Sequence, residues 1–178
     1  SINKNSDRYQ FILPYYDLGR TLSNDFMNGF VSLNSNGSND LNATNVLKSR
    51  IINDVHYESF DYITNLGFKN KLKLDIKNLN TVGKNDTTYK SSPELDLVSL
   101  FDMNVSLPLV KEEEKFTNFL TPKFSLRYNP TNMIDHSTSS NTIYVDNIFN
   151  MNRLGLSDTL ESGKSLTLGL EYKKEKNK

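Results

Sequence analysis

Four lysines at alternating positions are the residues of this 178-residue chain whose chemistry is easiest to interpret. They are Lys69, Lys71, Lys73 and Lys77. An ammonium group is a compact point charge that suits phosphate and carboxylate groups. The row predicts either a cationic track that meets a phosphorylated, acidic substrate or a solvated polar surface without a specific ligand. Spacing alone does not separate these two interpretations.

The remaining residues give no catalytic or metal-binding pattern. His56 and His136 are the two histidines, they lie far apart, and the chain contains no cysteine. Neither histidine occurs in a metal-ligand spacing. The sequence has no Gly-x-Ser-x-Gly nucleophile segment and no glycine-rich phosphate loop. It therefore predicts a protein that is not an enzyme and that needs no metal or cofactor.

The lysines belong to a stretch, residues 66–77, that has a two-residue period. Leu72, Leu74 and Ile76 have one parity and the lysines have the other. Successive side chains of a strand point to opposite faces. On a helix, at about 100° per residue, the apolar positions would form no stripe. The stretch is predicted to be a β-strand with one apolar and one cationic face.

The same alternation recurs along the chain and predicts about eight strands, several of them about 9 to 14 residues long. The further segments are 9–15, 27–34, 47–58, 94–107, 123–128, 165–173 and, more weakly, 142–148. Strands that cross a bilayer need about 9 to 11 residues. We therefore predict an all-β fold of antiparallel up-and-down strands that form part of the wall of a transmembrane β-barrel. Residues 1–178 are expected to be a single fragment, an incomplete barrel within a longer polypeptide.

Composition and connections agree with this prediction. The 21 basic and 21 acidic residues cancel, so bulk electrostatic attraction to anionic lipid or to nucleic acid is not expected, and no nucleic-acid partner is predicted. No apolar run approaches the roughly 20 residues of a membrane helix. The polar connections 34–45, 78–93 and 129–141 are long, whereas 60–64 and 108–114 are short. Because outer-membrane barrels have long external loops and short periplasmic turns, we expect the three long connections on the external side.

The lysines also indicate which face of the strands meets lipid. A lysine that faces lipid at the bilayer midplane costs about 2–4 kcal/mol, so the four lysines are expected to face the lumen. Acidic residues of a later strand are expected on the same side, where they could pair with the lysines across neighbouring strands. The predicted lumen-facing set is Lys69, Lys71, Lys73, Lys77, Glu94, Asp96, Asp102, Lys123 and Arg127.

Three strings of the sequence resemble a known family. Residues 8–16 read Arg-Tyr-Gln-Phe-Ile-Leu-Pro-Tyr-Tyr, residues 119–128 read Phe-Leu-Thr-Pro-Lys-Phe-Ser-Leu-Arg-Tyr, and residues 152–163 read Asn-Arg-Leu-Gly-Leu-Ser-Asp-Thr-Leu-Glu-Ser-Gly. Together they are similar to strings of the barrel region in the family of LPS-assembly outer-membrane proteins, LptD (also called OstA). They occur in the family's order, and the third is followed by an alternating strand, as in the family.

The resemblance implies transport and assembly of lipopolysaccharide at the outer leaflet of the outer membrane of a Gram-negative bacterium. It implies a periplasmic jellyroll, absent from this chain, followed by a barrel of about 26 strands. The implied partners are lipopolysaccharide, the plug lipoprotein LptE, the periplasmic Lpt bridge components and membrane lipids. Lipopolysaccharide would leave sideways through a gate between the first and last strands. The family's cysteines have no counterpart here.

Two other classes of protein fit the alternation. A different outer-membrane barrel, such as a diffusion porin or a receptor, would share every physical feature except the three strings. A soluble β-sandwich binding module would also alternate, although its strands should be shorter and its loops less unequal.

Overall fold

A computed structural model describes residues 10–24, 28–42, 45–132 and 142–177 of the chain. These residues form one antiparallel sheet of nine strands. The strands are β1 (Gln10–Asn24), β2 (Gly29–Asn42), β3 (Val46–Ser59), β4 (Tyr62–Ile63), β5 (Lys69–Lys84), β6 (Glu94–Ser106), β7 (Leu109–Glu112), β8 (Phe116–Asn129) and β9 (Gly163–Lys176). The long strands have 13 to 16 residues, more than is usual in globular sheets.

The sheet has an up-and-down order in which each long strand pairs with the next long strand. Its path is β1-β2-β3-β5-β6-β8, and β9 pairs with the other side of β8. The short strands continue longer ones after a break: β4 pairs with β5 beyond the end of β3, and β7 pairs with β8 beyond the end of β6. Pro108 lies in the second break, where proline has no amide hydrogen to donate to the ladder.

The predicted all-β, antiparallel, up-and-down fold is confirmed. β1 and β9 do not pair with each other, so the sheet is open, as expected for an incomplete barrel wall. The strands of the described ranges belong to one hydrogen-bonded sheet rather than to the two packed sheets of a sandwich. A search of the same ranges for a helix of sufficient length and hydropathy to span a membrane finds none.

The predicted loops 34–45 and 78–93 are wrong over much of their length. Their first parts extend β2 and β5, and each of these parts pairs with a strand on both sides. The true connections are residues 43–45 and 85–93. Together with 130–162, they leave the sheet at the same end, as antiparallel alternation requires. Because 43–45 is short, the predicted alternation of long and short connections is not regular.

Side-chain hydrogen bonds explain why these polar runs form strands. The Ser35 hydroxyl donates to the Asn53 carboxamide oxygen at 2.7 Å, and the Asn53 amide donates to the Asn78 carboxamide oxygen at 3.1 Å. Asparagine is a poor strand former. Here the asparagine side chains form hydrogen bonds across three adjacent strands. The backbone hydrogen bonds of the sheet then hold these residues in the strand conformation.

The weak strand predicted at 142–148 is wrong, because this segment forms turns. The Tyr144 carbonyl accepts hydrogen bonds from the amides of Asn147, at 3.1 Å, and Ile148, at 3.0 Å. The links predicted at 60–64 and 108–114 contain the short strands β4 and β7. Parts of other predictions, at Tyr9, residues 25–27 and 133–141, lie outside the described residues.

One glycine is required where two strands approach closely. A Cβ at Gly29 would lie 2.9 Å from the Cα of Ser59 and closer still to the carbonyl oxygen of Glu58. Both atoms belong to the backbone of β3, so no side-chain movement could relieve the contact. Gly29 therefore allows the start of β2 to pack against the end of β3.

Candidate functional site

The strand register places all nine predicted lumen residues on one face of the sheet. Lys73 lies opposite Asp102, and Asp102 lies opposite Arg127. Because side chains alternate along each strand, every residue of the predicted set shares the face of these three. We call this face the polar face. Whether it lines a lumen stays a prediction, but the sequence pattern had assigned its members to a common side.

The opposite face, here the apolar face, carries large side chains that nothing in the described chain covers. Leu97 of β6 is 62% exposed and Leu168 of β9 is 74% exposed. Others with the same parity are Leu33, Val55, Leu72, Phe101, Leu126, Leu166 and Leu170. The hydrogen-bonded row Ser35–Asn53–Asn78 has the same parity and interrupts this surface on β2, β3 and β5. Exposed apolar patches of this kind mark contact with a protein partner or with a membrane.

On the polar face, the lysine row is neutralised by carboxylates from β3 and the residues after it. Lys71 Nζ lies 2.6 Å from Glu58 Oε1, and Lys77 Nζ lies 2.8 Å from Asp54 Oδ1. Lys69 Nζ lies 2.8 Å from Asp61, and this hydrogen bond holds the pKa of the Asp61 carboxyl below its ordinary value. The row is therefore not a bare cationic track.

The ion partners that the sequence led us to expect for the lysines are wrong. Glu94 pairs with Lys90 in the preceding connection. Asp102, fully buried, accepts hydrogen bonds from the Ser125 hydroxyl at 2.8 Å and from the Asn104 amide at 2.7 Å. In the described ranges, Asp96 takes part in no ion pair, although its carbonyl accepts from a side-chain amide of β5. Strand order explains the error, because β5 has β3 as well as β6 beside it.

His56 acquires neighbours that spacing in the sequence could not reveal. Its Nδ1 hydrogen-bonds the carboxylate of Asp75, its register partner on β5, and its Nε2 lies 3.7 Å from Glu58. The arrangement is a histidine held between two carboxylates on the polar face. Across the residues that the structure describes, no group of three or more metal-ligating side chains is positioned to hold a metal ion.

Residues 142–162 belong to the segment that links β8 to β9 in the sequence, and we call them the connector. They fold back onto the polar face of the sheet. Phe149 packs against Gly169, where an added Cβ would lie 2.7 Å from the ring, and its ring centroid lies 6.0 Å from Lys123 Nζ. On the same face but several strands away, Asp158 of the connector accepts a hydrogen bond from Arg50 of β3 at 3.2 Å. The connector thus crosses the polar face from β9 to β3.

A small buried core accompanies the connector. Leu154 and Leu160 of the connector are buried, as are Ile52 of β3 and Leu100 of β6, and both strand residues have the parity of the polar face. Burial of these side chains favours the folded-back position through the hydrophobic effect. The connector is therefore attached by apolar packing as well as by charge.

A charge cluster joins the connector to β8. The Arg127 side chain is 2% exposed and donates from Nη1 to Glu161 Oε2 at 2.8 Å, while Arg153 donates from Nε to the same oxygen at 3.0 Å. Arg153 Nη2 also bonds Glu161 Oε1, and Arg127 Nη2 bonds the Met151 carbonyl. Partial burial alone would raise the pKa of the Glu161 carboxyl, but the hydrogen bonds and charges of the two arginines outweigh it and lower that pKa.

Sequence reasoning missed this cluster, although it had singled out residues 152–163 and had placed Arg127 on the polar face. Arg153 and Glu161 are eight positions apart in an irregular segment, where no periodicity relates them. The cluster depends on the connector turning inward, which strand patterns do not encode.

In the part of the chain that the structure describes, several cavities lie between the connector and the sheet, and two of them are lined by charged pairs. One, of about 240 Å³, is lined by Asp61, Lys69, Lys71, Asn104, Lys123 and Phe149, among others. The other, of about 220 Å³, is lined by His56, Asp75, Lys77, Leu156 and Leu160, among others. Both combine paired charges with apolar side chains, so the surface suits a molecule with polar and apolar parts.

Two comparisons with known proteins add no relative. Neither a scan against protein-family models nor a search of curated proteins finds a match for this chain.

Proposed function

We propose that this chain is part of the wall of an outer-membrane β-barrel that transports and assembles lipopolysaccharide at the outer leaflet of the outer membrane. One observation carries the proposal: a single sheet has large exposed apolar side chains on one face and, on the other, charges that are paired and that the connector covers at Arg127 and Arg153. That distribution is the reverse of a soluble sheet, whose apolar face is covered and whose charged face meets water.

Strand length supports a membrane as the environment of the apolar face. Strands of 13 to 16 residues are about 43 to 54 Å long. Tilted by about 40°, as barrel strands are, they extend about 33 to 41 Å across the membrane. The hydrocarbon core of a bilayer is about 30 Å thick. The long strands are therefore sufficient to cross it.

The resemblance of three strings to LPS-assembly proteins supports lipopolysaccharide as the cargo. The third string, residues 152–163, contributes Arg153 and Glu161 to the charge cluster, which gives that string a physical role. Lipopolysaccharide combines phosphates and sugars with acyl chains. The cavity in which paired lysines lie beside Phe149 offers both kinds of contact.

The identity of the cargo can be tested by depleting the protein from the bacterium that makes it. Newly made lipopolysaccharide would be pulse-labelled through a tagged sugar and counted at the cell surface. We expect surface labelling to stop while total labelled lipopolysaccharide persists inside the cell envelope. Uptake of a small hydrophilic solute serves as the control. Normal surface labelling with reduced solute uptake would contradict the proposal and favour a diffusion porin.

A further inference from the structure

On the apolar face, a lysine–aromatic pair lies at each of the two ends of the β8–β9 strand pair. Lys164 Nζ lies 5.2 Å from the ring centroid of Tyr128, and Lys174 Nζ lies 4.2 Å from that of Phe116. The first pair lies at the end of the sheet where the connector begins, and the second lies at the opposite end. Both distances are within the range of a cation–π interaction.

Between the two pairs, β9 presents only apolar side chains to the outside on this face, as far as Tyr172. Leu166, Leu168 and Leu170 are 61%, 74% and 69% exposed. The Tyr172 hydroxyl, next to Lys174, donates to the Asn118 carboxamide oxygen at 2.8 Å. The face therefore changes from cationic and aromatic to aliphatic and back along one strand.

The separation of the pairs matches the thickness of a membrane. Ten residues of strand separate Lys164 from Lys174, which corresponds to about 33 Å at about 3.3 Å per residue. With a strand tilt of about 35–45°, this length becomes about 23 to 27 Å along the membrane normal. The outward apolar band of outer-membrane barrels is about 25 Å tall and is flanked by aromatic girdles.

The two lysines differ from those of the polar face in their partners. Lys71 and Lys77 each lie beside a carboxylate, and so does Lys173, the neighbour of Lys174 on the other face. In the described ranges, neither Lys164 nor Lys174 lies within ion-pair distance of a carboxylate, although the charge of Lys174 contributes, after Lys111, to lowering the pKa of Glu113. Their ammonium groups are therefore available to an external anion, and a long lysine side chain can extend along an apolar surface to reach one.

We propose that the apolar face of β8 and β9 is a membrane-contact surface whose two limits are set by Lys164 and Lys174, each of which binds a phosphate group of the lipid headgroups in its own leaflet. The partner is a bilayer, and its recognition combines the leucine band with charge complementarity at both ends. The inference rests on the proposed barrel, but it does not depend on lipopolysaccharide as the cargo.

The first experiment measures depth. A nitroxide would be attached to the intact protein, reconstituted in phosphatidylglycerol–phosphatidylcholine vesicles, through a cysteine introduced at position 164, 168 or 174, one at a time. Collision rates with oxygen and with a water-soluble nickel complex then report the depth of each label. We expect position 168 to be deepest and the other two to lie near the phosphate level. Equal access of the nickel complex to all three would overturn the proposal.

The second experiment measures the headgroup preference. A bimane fluorophore at position 118, the register partner of Lys174, would be quenched by doxyl-labelled phosphatidylglycerol or phosphatidylcholine. We expect Lys174→Gln to reduce the preference for phosphatidylglycerol about fivefold, the factor for one lysine at an anionic surface, and Lys173→Gln to leave it unchanged. The same holds for Lys164→Gln with bimane at position 166. An unchanged preference in both glutamine variants would overturn the phosphate assignment.

The outcomes separate this proposal from the one on cargo. The label at position 168 could be the deepest while depletion of the protein leaves surface lipopolysaccharide normal. That result would support the membrane-contact surface and contradict the proposed transport of lipopolysaccharide. A flat profile together with lost surface lipopolysaccharide would remove the membrane surface alone.

Discussion

Replacement of Glu161 by glutamine tests whether the charge cluster holds the connector on the polar face. Glutamine keeps the shape of the side chain and one acceptor oxygen, but it leaves Arg127 and Arg153, 2% and 7% exposed, without the carboxylate that joins them. Breaking a buried ion pair from one side costs about 3–5 kcal/mol. The Glu161 side chain retains 16% exposure, and Asp102 lies opposite Arg127, so we expect the lower limit, about 3 kcal/mol.

Hydrogen exchange measures that change directly. A loss of about 3 kcal/mol corresponds to an increase of more than about 100-fold in the undocked population of the connector. Amides of residues 142–162 in the intact protein should therefore exchange about 100-fold faster in Glu161→Gln, while amides of β8 and β9 keep their rates. Asp158→Asn is the matched control. Its ion pair with Arg50 is about 40% exposed on both sides, so its loss should change exchange by less than about fivefold.

The pH dependence of exchange gives an independent check on the same carboxylate. The pKa of Glu161 in the folded protein lies below its ordinary value of 4.5. A group with a lowered pKa contributes its stabilisation above the ordinary value and loses it as the pH falls through the folded value. Relative to an unprotected peptide at the same pH, the protection of the connector amides should fall below about pH 4.5 in the wild type and not in Glu161→Gln. Equal exchange in the Glu161 and Asp158 variants would refute the assigned role of the cluster.

Four further substitutions test the faces and the close contacts. Leu72→Lys should impair membrane assembly, because a lysine in lipid costs about 2–4 kcal/mol, whereas Lys71→Leu should be much milder; equal effects on the assembled, heat-modifiable form would contradict the assigned faces. Gly29→Ala should prevent assembly at normal temperature, since its Cβ meets the backbone of β3; folding yield at two temperatures measures this. Gly169→Ala should displace only the Phe149 ring, so protease cleavage within the connector should rise while the amount of folded barrel stays constant.

Most of the sheet could be predicted from the two-residue period, because a buried or lipid-covered face requires an apolar residue at every second position. The segment around Leu72 and Leu74 is an example, and its pattern also assigns the lysines to a common face. The period fails where both faces are polar. Asn53 and Asn78 carry no hydrophobic signal, and only their pairing across β2, β3 and β5 makes them strand residues.

The sequence predicted which residues share the polar face, but it did not predict which of them contact each other. Parity places Asp102 and Arg127 on one side, yet it gives no information on which neighbouring strand supplies the partner of each lysine. His56 beside Asp75 and Glu161 between two arginines require the register of the sheet and the inward turn of the connector. Those depend on packing between segments distant in sequence, which a local pattern does not contain.

Pairing of the lysine row bears on how an acidic cargo would move along it. Four lysines of β5 share the polar face with Glu58, Asp61, Asp54 and Asp75, so the net charge of this part of the face is close to zero. A phosphate that approached Lys69 or Lys71 would have to replace a carboxylate, and the exchange of one anion for another yields little net binding. Transport requires contacts that are favourable enough to admit the cargo and weak enough to release it. The neutralised row therefore favours the solvated polar surface over a tight cationic track, and it does so without excluding a cargo that moves past it.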